Sequence, residues 1–331
     1  MAYTTINDPE LYFQVVTWTG NATDDRSITL PGDTDMQPDF VWYKERSSTS
    51  AHKLYDAVRT ATKELESNST AAESTNADAL QAFETDGFQV GTHGSVNEDT
   101  ETYVAWCWKE SATAGFDIVS HTGTGSARTQ AHSLSAVPHV YITKRRSNTG
   151  NWYVYHQANG NTHRLRMDET AAAADEAEAF NDTSPTSSVF SLGTSVDVNG
   201  NLETYITYAF APKQGFSKFG SWLGNGSTDG PFIYTGFKPA FILYKRIPDG
   251  TEGWILQDNK TSPFNVMHVW MSPHSDQVEA ESANANLDFL SNGFKLRHDD
   301  TRGNTSGITY IYAAFAEAPF VNSNGVPCNA R

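Results

Sequence analysis

The sequence predicts an all-β chain of three tandem antiparallel β-sandwich (jelly-roll-like) modules, on three observations. The first is internal repetition: Pro38-Asp39-Phe40-Val41-Trp42-Tyr43-Lys44 recurs as Pro138-His139-Val140-Tyr141-Ile142-Thr143-Lys144 and as Pro239-Ala240-Phe241-Ile242-Leu243-Tyr244-Lys245. The second is a Thr-Tyr pair opening an apolar run at a matching distance after each, at Thr102-Tyr103, Thr204-Tyr205 and Thr309-Tyr310. The third is the texture between these marks. Runs of five to eight residues rich in β-branched and aromatic side chains are bounded by Gly, Asn, Asp and Pro, which is the strand signature. A period of about 100 residues is too long for a solenoid and suits a small domain. The expected division is an arm over 1–11, modules over 12–112, 113–215 and 216–320, and a tail over 321–331.

Each module opens on an aromatic-led strand running into a glycine turn, at Phe13, Phe116 and Phe216. The proline-marked strand follows, then a short amphipathic strand near Leu54, Trp152 or Trp254. Module one has His52 where the others have Trp152 and Trp254, a departure that suggests a repurposed surface. Polar stretches over 71–83, 168–180 and 275–290 come next and are expected as exposed loops, since their Ala/Glu-rich runs lack an apolar stripe to dock a helix. The module ends with a Phe-marked strand and the long Thr-Tyr strand. On that last strand Val104, Trp106 and Trp108 share one face, as do Ile206, Tyr208, Phe210 and Ile311, Ala313, Phe315. This face is expected to be the module core. The opposite face, with Tyr103, Ala105 and Cys107, is expected to receive another layer, from a second module or a second chain.

Composition narrows the function classes. With 39 acidic against 23 basic residues the net charge is −16, which repels nucleic acid and anionic membranes. No apolar run approaches a membrane span, and residues 1–11 carry no secretory leader pattern. Cys107 and Cys328 are expected as unrelated free thiols, Cys107 buried and structural, with no zinc spacing around either. No GxSxG, HExxH or phosphate loop is present, so no catalytic residue, metal ligand or cofactor is assigned and the chain is not read as an enzyme. Asp24-Asp25-Arg26 and His298-Asp299-Asp300 read as solvated turns. The repeated Lys44, Lys144 and Lys245 read as lysines that lay their stems over the core edge and turn their ammonium groups outward, beside Asp56 or Asp258. Trp222, Trp270 and His274, near Gly/Pro-rich or polar segments, are the candidates for ligand contact, because sugars pack on exposed aromatic faces.

Several of these runs resemble the β-rich repeat modules of virion structural and tail-fibre proteins of tailed phages, marine and cyanobacterial ones above all. The runs are Met1–Ile6, Pro38–Arg46, Tyr103–Lys109, Gly215–Gly220, Gly236–Phe241 and Ala316–Cys328. The resemblance implies a virion location, other tail or capsid proteins as partners, and adhesion to a bacterial surface glycan or protein. It brings no catalytic residues. A homotrimer is expected from it, although three modules closing on an internal threefold would make a monomer sufficient. Two further readings stay open: a tailspike-type polysaccharide depolymerase and a purely structural decoration or adaptor protein.

Overall fold

A computed structural model describes residues 2–329. The chain is almost wholly antiparallel sheet, and one strand order is built three times. In the first repeat Phe13–Thr19, Thr102–Trp108, Phe40–Glu45, Lys53–Asp56, Lys63–Glu66 and Ser74–Thr75 lie side by side in that order. The second repeat matches it strand for strand with Phe116–Thr122, Thr204–Phe210, Val140–Arg145, Tyr153–His156, His163–Arg166 and Ala174–Asp175. The third keeps four of the six, Ser217–Leu223, Thr309–Pro319, Phe237–Arg246 and Trp254–Asp258. Each repeat adds a smaller sheet, exemplified by Arg26–Ile28, Gly87–Val90 and Leu80–Glu84 in the first. Every one of these sheets lies within 12–112, 113–215 or 216–320.

The repeated Thr-Tyr pair has a clear cause. The Tyr103 hydroxyl donates to the Gly94 carbonyl (2.7 Å) and accepts from the Glu98 amide (2.9 Å). Tyr205 does the same with Val196 and Gly200, and Tyr310 with Thr301 and Thr305. Each tyrosine therefore pins the turn that precedes its own strand, satisfying buried backbone groups that would otherwise be orphaned. A buried asparagine five residues before each Thr completes that turn. The side-chain amides of Asn97, Asn199 and Asn304 each donate to two carbonyls, including Gly91, Gly193 and His298. His298, expected in a solvated turn, is buried there.

The faces of the closing strand are exchanged relative to expectation. Tyr103, Ala105 and Cys107 lie inside the first module, clustered with Ile28, Leu80, Phe88 and Val90 of its small sheet. Val104, Trp106 and Trp108 instead join a cluster shared by all three modules. At its centre the register-equivalent Trp108, Phe210 and Phe315 form a triangle, with ring centroids 6.4, 5.5 and 5.6 Å apart. The three large sheets thus turn one face to a common pseudo-threefold axis. Near it lies an apolar cavity of about 40 Å³, lined by Ala313 where the other repeats carry Trp106 and Tyr208.

The seams between modules repeat cyclically. Glu73 donates its amide to the Arg146 carbonyl, Ala173 to Ile247 and Glu279 to Arg46, each at 2.9 Å. The polar stretches 71–83, 168–180 and 275–290 are therefore not free loops. Their first halves strap one module to the next, and their second halves bury Leu80, Phe180, Leu287 and Phe289. Arg46–Glu279 and Arg146–Glu73 ion pairs reinforce two seams, while the third has Ile247 and Ala173 in those places. Trp152 and Trp254 donate their indole N–H to the neighbouring module's Glu66 and Arg166 carbonyls, both at 2.7 Å. His52 is fully buried at the matching place, accepting from Trp42 Nε1 (3.1 Å), so its departure from Trp alters a seam and no surface.

Lys44, Lys144 and Lys245 correct the expectation of outward-turned ammonium groups, since all three are 0% exposed. Lys144 Nζ donates to the Thr70 carbonyl of module one (2.9 Å), and Lys245 Nζ to the Thr170 carbonyl of module two (2.8 Å). Lys44 Nζ reaches the Ser48 carbonyl (3.1 Å). Burial pushes each ammonium down from the usual lysine range to about 8. Folded-state values below the unfolded one mean that the unfolded chain binds more protons between the two, so stability rises with pH across that window. Urea unfolding at pH 7 and pH 9 is expected to show a higher midpoint at pH 9, with about 1 kcal/mol gained per lysine. A midpoint that falls over this interval would contradict the assignment.

Candidate functional site

None of the three residues singled out from sequence is fully exposed. Trp222 is buried, donates Nε1–H to the Gly303 carbonyl (2.9 Å) and stacks on Tyr310 at 5.3 Å. Trp18 holds the same place over Tyr103 in module one and His121 over Tyr205 in module two, so Trp222 is a framework residue and no exposed platform. His274 is half-buried against Gly253, where an added Cβ would sit 2.0 Å from its ring. Burial and the Lys245 charge pull its imidazole down to about 4. It stands where Asn68 and Asp168 accept the His52 and Trp152 amides, which gives it a seam position. Trp270 is half-buried beneath the Arg302 guanidinium, 5.3 Å from its ring.

What the scaffold does not require shows where the third repeat departs from the other two. Leu54 pairs with Leu65, Val154 with Leu165 and Leu256 with Met271. Between the preceding Asp56, His156 and Asp258 and those partners, the third connection is four residues longer. The extra length forms a fixed protrusion. The Asp258 carboxylate accepts the amides of Lys260 (2.9 Å) and Thr261 (2.8 Å) to start it. Asn265 clamps its far side, donating Nδ2 to the Phe289 carbonyl (2.8 Å) and accepting the Phe289 amide (3.0 Å). Phe264, between these two anchors, is 80% exposed, with Val266 also exposed beside it. An aromatic ring held in water by anchored backbone costs apolar hydration that folding alone would remove.

A groove of about 300 Å³ runs along one side of this protrusion, across the seam of modules one and three. Its floor is apolar, and its polar rim comes from Glu10, Gln14, Asn259, Lys260 and Glu317. Gln14 is occupied within the scaffold, donating to the Glu10 and Thr34 carbonyls and accepting the Gly32 amide. Glu317 accepts from Lys238 (2.8 Å) and Asn259 (2.7 Å), and Glu10 from the Asp33 amide (2.9 Å). Lys260 is exposed at the rim. On the far side lies a shallower groove lined by Val266, His268, Glu281, Ser282 and Asn286, with His268 Nε2 3.1 Å from Glu281 Oε1. Fixed acceptors, an exposed ammonium and a projecting ring can bind and orient a ligand. Among the described residues no group of three His, Cys, Asp or Glu side chains is placed to hold a metal ion.

Phe264 escaped sequence reading because attention to tryptophans favours residues that pack the framework. The available signal was spacing: the third repeat is four residues longer at this connection. No curated protein and no solved structure matches the chain. One family model does, and it spans residues 8–319, so it takes in the seams as well as the modules. The chain belongs to that family, described as a domain of unknown function (DUF7483).

Proposed function

We propose that the chain is a virion surface protein of a tailed phage, a tail fibre or related part, that adheres to a host envelope glycan or protein through its third module. In this reading each module is a sandwich of a large and a small sheet, and the protein acts by binding without chemistry. The observation that carries it is the contrast between a threefold scaffold with a buried axis and the ring of Phe264, 80% exposed on an anchored protrusion. The internal threefold also favours a monomer over the homotrimer, since the chain already supplies three copies of the packing face. Light scattering should then give a mass near the 36.4 kDa of one chain. A trimeric mass would restore the oligomer.

Labelling intact particles with antibody and imaging them tests the location, and cell binding by purified protein tests the adhesion. Phe264→Ser is expected to lower cell binding at least tenfold with an unchanged unfolding midpoint, because the ring is exposed. Equal binding by the variant would rule out Phe264 as the contact, and no binding by the wild type would count against an adhesin. Turnover of host polysaccharide by purified protein would point instead to the depolymerase.

A further inference from the structure

The outer face of the small sheet in module three carries a second departure from the repeat, remote in sequence from the 259–270 connection. Phe232–Tyr234 is the edge strand of that sheet, and Phe232 and Tyr234 both point outward, each 45% exposed. Register with the equivalent Phe88, Phe190 and Phe294 shows what the other modules place there. Module one presents Ser27 and Thr29, and module two Thr129 and Ala131. The scaffold is thus built twice without aromatic residues at these positions.

Both rings are fixed before any ligand arrives. The Phe232 ring lies across Gly293, where an added Cβ would approach its Cε2 to 3.0 Å. Tyr234 is held at its hydroxyl by Tyr3 (3.0 Å), and the Lys218 ammonium sits 5.2 Å from its ring centre while donating to its carbonyl (2.6 Å). Two residues apart on one strand face, the two side chains leave the backbone about 7 Å from each other. Around them lie hydrogen-bonding groups of both signs. Lys295, paired with Phe232 across the strands, donates to the Gly230 carbonyl (2.8 Å) and meets the exposed Asp229 carboxylate at 2.8 Å.

We propose that Phe232 and Tyr234 form a stacking platform for a neutral saccharide, with consecutive sugar rings laying their C–H faces on the two aromatic rings. Lys218, Lys295 and Asp229 supply donors and acceptors to the hydroxyl groups at the rim. Pre-fixed rings lose little entropy on binding, which suits a weak ligand. A neutral polyol fits the mixed rim, whereas an anionic polymer would meet the field of a chain with net charge −16. The platform shares no residue with the Phe264 protrusion, so it stands whether or not that protrusion makes the adhesive contact.

The test uses the full chain, cellohexaose and maltohexaose as neutral probes, hexagalacturonate as the acidic one, and saturation-transfer NMR with titration calorimetry. The comparison variant is F232S/Y234T, which installs the residues module one already carries at these places and leaves the core untouched. A neutral hexasaccharide is expected to bind with a Kd in the micromolar-to-millimolar range, the acidic probe more weakly. The variant is expected to lose at least tenfold in affinity at an unchanged unfolding midpoint. Binding of neither neutral probe, or equal binding by wild type and variant, overturns the proposal. Loss of host-cell adhesion in the variant, without saccharide binding by the wild type, also overturns it and makes the rings a protein contact.

Discussion

Phe315→Ala is expected to destabilise the whole chain by about 4 kcal/mol, and to do so in one transition shared by all three modules. Phe315 is nearly fully buried, and its ring meets Phe13, Trp108, Phe210, Phe219 and Phe241 at centroid distances of 5.3 to 5.9 Å. Those partners come from three modules, so the truncation removes contacts from each. It also enlarges a cavity already present at the axis, where Ala313 leaves space, and unfilled volume adds to the transfer cost. Urea unfolding followed by tryptophan fluorescence and by circular dichroism checks this. A loss below about 1 kcal/mol, or an early transition confined to one module, would show that the axis does not couple the modules.

Arg59→Leu is expected to cost about 3 to 5 kcal/mol, because it strands a buried carboxylate. The Arg59 and Asp56 side chains are both 0% exposed and paired with each other. The guanidinium also donates to the Leu54 carbonyl (2.9 Å), to the Tyr208 hydroxyl of module two (3.2 Å) and to Glu73 (3.3 Å). Tyr208 in turn donates to Asp56 at 2.7 Å, so the network ties the first seam as well as its own turn. Asp56→Asn combined with Arg59→Leu should recover part of the loss, since the uncompensated charge is then gone. Comparing the single and double variants in urea at pH 7 gives the coupling directly. A double variant no better than Arg59→Leu alone would mean that the loss is one of packing.

Much of the local structure was legible because it depends on neighbours along the chain. The strand texture, the glycine turns and the Thr-Tyr pair mark elements whose hydrogen bonds close within a few residues or a single module. The tyrosine hydroxyls illustrate this, for each reaches back nine residues to the turn before its own strand. The buried asparagines were equally available, at a constant distance of five residues before each Thr. Position in the repeat also carried the Phe264 protrusion, as a difference in length.

The candidate sites were less legible, and Trp222 shows why. An indole in a glycine-rich setting reads alike whether it stacks on a buried tyrosine or on a sugar. Its role became plain only when Trp18 and His121 were found in the same place over the same tyrosine. The repeated lysines were misread for a related reason. A lysine at a strand end ordinarily turns to water, and here the water is replaced by carbonyls of the next module, some 75 residues away in sequence.

What the sequence determined by itself was an antiparallel all-β chain, its threefold repetition and the alternation of each strand. What only the tertiary structure decided was which of two apolar faces looks inward to its own small sheet and which looks to the axis. Val104-Trp106-Trp108 and Tyr103-Ala105-Cys107 are both buried, and the hydrophobic effect that buries them has no direction. Alternation separates the two sets. Choosing their partners requires the shape of three modules closed around one another, where Trp108, Phe210 and Phe315 meet.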